Sequence, residues 1–161
     1  MPSKLDSHRS TPAHAPVKPF PRRCPECGKV KVRPAAIGYD AEVKHDGRLY
    51  TFSIPELQVN QCAACGEVLF SNVTDDQISQ ALREHLRILS PQQIREGLAA
   101  LGLNQKDFAE KLRIAPETIS RWLRGIYIQS LSMDVLMRLF FEREGVEFGS
   151  LEPGKVGSPG S

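Results

Sequence analysis

Two cysteine pairs, Cys24-Pro25-Glu26-Cys27-Gly28 and Cys62-Ala63-Ala64-Cys65-Gly66, constrain the fold of this chain more than any other feature. Two residues between cysteines let both sulfurs reach one ion from a tight turn. The glycine after each pair suits a turn whose backbone N–H groups point toward the thiolates. Two such knuckles give the tetrahedral four-sulfur shell that zinc prefers. Cys24, Cys27, Cys62 and Cys65 are therefore the candidate ligands of one structural Zn2+, which would supply much of the folding free energy of a small module. Four thiolates close the shell, so a catalytic zinc with an open position is not expected, and His45 reads as a surface residue away from the knuckles. A thioredoxin-like redox pair would need a βαβ setting, which is absent. An iron–sulfur centre also takes four cysteines, and ligand type alone does not separate iron from zinc.

The long spacer between the pairs explains itself. It holds GYDAEVKH-DG-RLYTFSI, in which Asp46-Gly47 is a two-residue hairpin turn. Pairing across that turn sets Val43 opposite Tyr50, Ala41 opposite Phe52 and Tyr39 opposite Ile54, all on one face. Glu42, Lys44, Leu49 and Thr51 fall on the other. An intact hairpin brings the second knuckle back to the first.

From Thr74 the hydrophobic period becomes helical. Thr74-Asp75-Asp76-Gln77 fits a capping box ahead of Ile78, Leu82, Leu86 and Leu89. Ser90-Pro91 opens the next helix, whose stripe is Ile94, Leu98 and Leu101, and Gly102 ends it. Residues 132–143 predict a last helix with Val135, Leu136, Leu139 and Phe140 as its apolar stripe. Met133, Met137 and Phe141 would then be left over as apolar surface for a dimer interface. The expected fold is α+β: a small β-rich zinc domain over 23–72, a linker helix over 73–89, and an all-α, five-helix helix-turn-helix domain over 90–148. Residues 1–22 and 149–161 have the Pro, Ser and Gly content of disordered tails.

The segment NQKDFAEKLRIAPETISRWLRG carries the functional argument. Asn104 caps a helix with Phe108, Ala109 and Leu112 inward. A turn follows at Arg113–Ala115, and Pro116 opens a second helix with Ile119, Trp122 and Leu123 inward and Gly125 at its stop. Two short helices joined this tightly cross steeply, as in a helix-turn-helix, and Ala109 is small enough for close approach. The outer face of the second helix then carries Glu117, Thr118, Arg121 and Arg124. Residues near its N-terminal end reach base edges in the major groove. Arg121 suits guanine O6 and N7, Thr118 a thymine methyl, and Glu117 cytosine N4. Gln105 is placed for a phosphate contact, with Lys106 and Arg124 as further phosphate candidates.

Composition narrows the class. A formal charge of +2 on 161 residues is too small to bind nucleic acid by charge alone, so recognition must rest on local placement. No apolar run spans a bilayer and the first residues lack the apolar centre of a secretory signal, which places the chain in the cytosol, at the nucleoid, with no membrane partner. Paired carboxylates, a nucleophile with its base and a phosphate-binding glycine loop are all missing, so no enzyme is expected. Two other readings fit the same residues: a stand-alone transcription factor sensing metal or redox state, and a zinc-ribbon protein associated with RNA or the ribosome.

The helix-turn-helix segment resembles the Cro/C1 (XRE-type) family, in which the Ser120-Arg121-Trp122 stretch lies on the recognition helix. CPECG and CAACGE around a β-hairpin are similar to the YgiT-type zinc finger. Both together, in this order, resemble MqsA-type antitoxins from about Cys24 to about Phe141. The resemblance implies a type II antitoxin whose zinc domain neutralises a toxin, often an mRNA interferase. It implies that the C-terminal domain dimerises, binds a palindrome in its own promoter as double-stranded DNA, and represses the operon. Glu117 and Arg121 align with base-contacting positions of that family.

Overall fold

The computed structural model of the chain describes residues 18–148. The expected tails before Lys18 and from Gly149 onward lie outside the described residues. Four strands, β1 (Arg22–Arg23), β2 (Val30–His45), β3 (Arg48–Cys62) and β4 (Val68–Leu69), precede five helices. These are α1 (Asn72–Leu86), α2 (Pro91–Leu101), α3 (Gln105–Leu112), α4 (Pro116–Leu123) and α5 (Leu131–Arg143). The strands form one sheet in the order β1-β2-β3-β4, so the α+β layout is as expected. No helix of the described residues is long and apolar enough to cross a membrane.

The chain divides into two compact units, and β2 and β3 contribute to both. The first unit comprises the residues up to Ala35 with Asn60–Leu69. Each knuckle in it is closed by a short antiparallel pairing. Arg22 pairs with Val32 and Arg23 with Val30, while Asn60 pairs with Leu69 and Gln61 with Val68. Among the described residues the core here is only Cys24, Val32 and Cys62, with Phe20, Cys27 and Leu69 packed around them. So few apolar groups leave little to offset chain entropy without a metal.

The second unit comprises Ala36–Val59 and the chain from Phe70 onward. Its hairpin turns at Asp46 (φ 51°) and Gly47 (φ 76°), the two positive φ values that a type I′ turn needs. The expected faces are observed: Tyr39, Ala41, Val43, Tyr50, Phe52 and Ile54 are covered, whereas Glu42, Lys44, Leu49 and Thr51 are exposed. His85 of α1 stacks on Phe52 at 5.3 Å. His45 is half-buried rather than a free surface residue, and its Nε2 lies 3.1 Å from the Gln129 carbonyl oxygen.

Helix α1 starts earlier than its sequence suggests. Ser71 is the N-cap, and Thr74 is its third residue, fully buried, with its hydroxyl donating to the Gln58 carbonyl at 2.8 Å. The same hydroxyl oxygen accepts from Ser71 N–H at 3.1 Å, so Thr74 closes a capping box from its third helical position while its proton satisfies a distant carbonyl. The caps read at Ser90 and Asn104 are observed, each accepting from the backbone N–H three residues on, and Gly102 (φ 63°) ends α2; Ser130 caps α5 in the same way, so that helix starts at Leu131, one residue before its expected start.

The helical core gathers Leu89, Ile94, Leu98, Phe108, Ile119, Trp122, Met137 and Phe141, among others. Here α5 differs from expectation. Its inward stripe is Asp134, Met137 and Phe141, and Val135, Leu136 and Leu139 are 55, 42 and 58% exposed. The helix is apolar almost all round, so periodicity gives two answers. Phe141 stacking on Phe108 at 5.3 Å, and the space left for it by Gly97 of α2, decide between them.

A Cβ on Gly97 would lie 2.7 Å from Phe141 Cε1 and 2.9 Å from Phe148 Cζ. Glycine to alanine inside a helix ordinarily stabilises by up to about 1 kcal/mol. Gly97→Ala is instead expected to destabilise by about 1–3 kcal/mol through overpacking. A shift of the urea midpoint at unchanged slope measures it, and a gain would show that both rings give way.

Candidate functional site

Two places in the fold carry chemistry. The first is the cysteine cluster. Each knuckle makes the same turn: Gly28 N–H donates to the Cys24 carbonyl at 3.0 Å, and Gly66 N–H to the Cys62 carbonyl at 2.8 Å. Both glycines have positive φ, 70° and 81°. The residue before each pair supports its turn from the side chain, Arg23 Nη1 on the Gly28 carbonyl at 2.9 Å and Gln61 Nε2 on that of Gly66 at 3.3 Å. Ala63 N–H donates to the Lys31 carbonyl and ties one knuckle to the other.

The four Sγ atoms lie within 4.8 Å of one another. Cys24 and Cys65 sulfurs are 3.6 Å apart, and those of Cys27 and Cys62 are 3.7 Å apart. A tetrahedral ion with ligand bonds of about 2.3 Å holds its sulfurs about 3.8 Å apart, so these residues fit a single metal ion. The thiols also differ in acidity. The backbone N–H of Cys65 beside its sulfur, helped by that of Ala64, brings Cys62 down to about 7 against the pull of burial. For Cys65 the Glu67 N–H works downward, but desolvation and the neighbouring sulfurs of Cys24, Cys27 and Cys62 outweigh it and push the thiol up to about 12. Four sulfurs this close cannot all ionise alone; a divalent cation removes the repulsion.

The second place is the pair α3 and α4. Arg113, in the left-handed conformation at φ 59°, ends α3, and Ala115 and Pro116 start α4 two residues on. Phe108, Ala109 and Ile119 are fully buried, and Trp122 and Leu123 nearly so. With that face inward, Glu117 and Arg121 of α4 are exposed and Thr118 is half-buried. Gln105 and Lys106 are the first two residues of α3 and are exposed. Arg124 is the C-cap of α4, also exposed, with its Nε on the Ser120 carbonyl at 3.3 Å. The end of α4 is held twice more. Ile126 N–H returns to the Arg121 carbonyl at 3.0 Å, and Arg95 Nη2 of α2 donates to the Leu123 carbonyl.

Residues 92–140, from α2 into α5, match the helix-turn-helix family. The chain carries the domain of a DNA-binding transcription regulator. Proteins of this family are generally not enzymes. No curated protein matches the chain.

Sequence reasoning passes over two groups beside this domain. Tyr127, 56% exposed, has the Arg121 guanidinium 5.5 Å from its ring centroid. Gln129 and Asp134 form a buried polar network: Asp134 Oδ1 accepts from Leu89 N–H at 2.7 Å and from Gln129 Nε2 at 3.1 Å, and Gln129 Nε2 also donates to the Leu89 carbonyl at 2.8 Å. The Gln129 side-chain nitrogen thus serves two acceptors at once. The one signal in the sequence is polar residues at core spacing, which a binary pattern reads as surface.

Proposed function

We propose that the chain is an MqsA-like antitoxin and autorepressor, binding a promoter palindrome through α3 and α4 and a toxin, an mRNA interferase, through its four-cysteine region. The observation that carries the DNA half is the family match over residues 92–140 together with an exposed α4 face bearing Glu117, Thr118 and Arg121. In this reading Arg121 reads guanine, Thr118 and Glu117 contact neighbouring bases, and Gln105, Lys106 and Arg124 hold phosphates. The tyrosine ring beside Arg121 would restrict its rotamers and cut the entropy lost on docking. The toxin half is supported by the order of the two modules, four cysteines around a hairpin and then a helix-turn-helix.

Zinc is the metal that this donor set favours, held by Cys24, Cys27, Cys62 and Cys65 and serving structure rather than catalysis. A two-fold dimer would match a palindrome, and the exposed apolar face of α5, Val135, Leu136 and Leu139, is the surface we assign to it. The site of action is then the cytoplasm, at the nucleoid.

The test is a gel-shift titration of the chain's own promoter fragment with wild type and Arg121→Ala. Losing one bidentate base contact is expected to weaken specific binding about 10- to 100-fold, with non-specific binding nearly unchanged. Equal affinity of the two proteins would remove Arg121 from the groove. Neutralisation of the adjacent gene's product on co-expression tests the toxin half, and growth arrest despite the wild-type chain would refute it.

A further inference from the structure

A cleft of about 1080 Å³ opens in the helical unit between α1, the start of α2 and the end of α4. Its size is just above the roughly 300–1,000 Å³ typical of small-molecule sites. Five arginines line it: Arg83, Arg87, Arg95, Arg124 and Arg138. Only two carboxylates, Asp76 and Glu84, stand against them. Two of the five are engaged elsewhere, since Arg95 donates to the Leu123 carbonyl and Arg138 is bound to Asp134 and to the Arg87 carbonyl, each at 2.8 Å; Arg124 spends only its Nε, on the Ser120 carbonyl.

Arg83 is the anomaly. Its residue is 8% exposed, yet its Nε and Nη2 have no hydrogen-bond partner among the described residues. Burial pushes its pKa below the ordinary value, and the Asp76 carboxylate only partly offsets that. Buried guanidinium nitrogens without an acceptor are costly to keep, because each has given up its water. An anion placed against it would recover that cost, and Arg87 and Arg124 stand at the same cleft to share the charge. The first turn of α2, Ser90 to Gln93, also lines it and adds the positive end of a helix dipole, its Gln93 N–H being held by Ser90.

We infer that this cleft is a binding site for a small ligand bearing a phosphate group, held by Arg83 with Arg87 and Arg124. Phosphate is the class because its oxygens match guanidinium donors in pairs. A small ligand is favoured over the DNA backbone because Arg83 lies at the floor of the cleft, more than nine-tenths buried, where a duplex cannot follow. Arg124 is shared with the phosphate contacts proposed for DNA, whereas Arg83 and Arg87 line the cleft and are not among those contacts.

The test is the thermal unfolding of the full chain, metal-loaded, with inorganic phosphate against sodium chloride of equal ionic strength. At phosphate about twenty times its Kd the helical unit is expected to melt several degrees higher, saturably. Arg83→Met is expected to melt higher than wild type without phosphate, having lost an unpaired buried charge, and to lose the phosphate shift. Arg124→Gln, at an exposed position, is expected to weaken phosphate at least threefold and carries the test should Arg83→Met not fold. No saturable shift in wild type, or the same shift in wild type and the variants that fold, overturns the proposal. A second arm separates the two phosphate sources. In Arg124→Gln, a random-sequence duplex that leaves the phosphate titration unchanged supports a small ligand; a duplex that still competes with phosphate stoichiometrically assigns Arg83 and Arg87 to the DNA backbone and overturns it.

Discussion

A chain carrying Cys62→Ser is expected to lose metal binding and, with it, the ordered structure of residues 18–35 and of Asn60–Leu69. Cys62 is 1% exposed and belongs to a core whose only other buried members among the described residues are Cys24 and Val32. Three such side chains, at about 1.5–3 kcal/mol each at most, cannot order some thirty residues. A structural zinc site contributes about 10–16 kcal/mol in small peptides, so an ion held by the four cysteines would carry this unit where the apolar core cannot. The helical unit has its own core around Phe108 and Phe141 and is expected to keep its far-ultraviolet circular dichroism. Metal content per chain and amide exchange at residues 24–32 read the effect. Leu49→Ser, at a position 60% exposed, is the control that should change neither. One metal per chain retained by Cys62→Ser with native exchange rates would mean that the ligand set is wrong.

Asp134→Ala is expected to cost about 3 kcal/mol. Its carboxylate is 5% exposed and meets three donors: Leu89 N–H at 2.7 Å, Gln129 Nε2 at 3.1 Å and Arg138 Nε at 2.8 Å. Removing it strands a buried backbone N–H and leaves Arg138 without its counter-charge. Arg138 is partly exposed, at 18%, which is why the value sits at the low end of the range for broken buried pairs. Asp134→Asn keeps an acceptor for Leu89 but gives up the charge, and should fall between wild type and alanine. Urea unfolding of the helical unit measures the series. A loss below about 1 kcal/mol for alanine would show that water replaces the carboxylate, and that the network is less closed than its distances indicate.

Much of this architecture is legible in the sequence because several rules agree at the same residues. Asp46-Gly47 marks the hairpin, and the alternation on either side names the covered face that is observed. The cysteine spacing and the glycines after each pair name the cluster, and Asn104, Pro116 and Gly125 bound the two short helices. What escapes has no local signature. Thr74 reads as a cap because its partner, the Gln58 carbonyl, lies sixteen residues away in sequence. The inner face of α5 is misread because apolar side chains surround that helix, and the choice belongs to Phe108 and Gly97 on other elements. Arg83 reads as an ordinary helical charge until its neighbours are placed around it.

The bond from Arg95 to the Leu123 carbonyl has a consequence for aim. Helix α4 is eight residues long, about 12 Å, and is pinned at the end away from the residues proposed to touch bases. A tilt of about 10° around that pin would swing its first turn by about 2 Å, several times the roughly 0.5 Å tolerance of a well-formed recognition contact. A guanidinium clamp on the last carbonyl therefore acts on the lever arm, limiting angular play in a helix too short to hold its own direction. Weakening it would blur discrimination between similar operators before it reduced the overall grip on DNA.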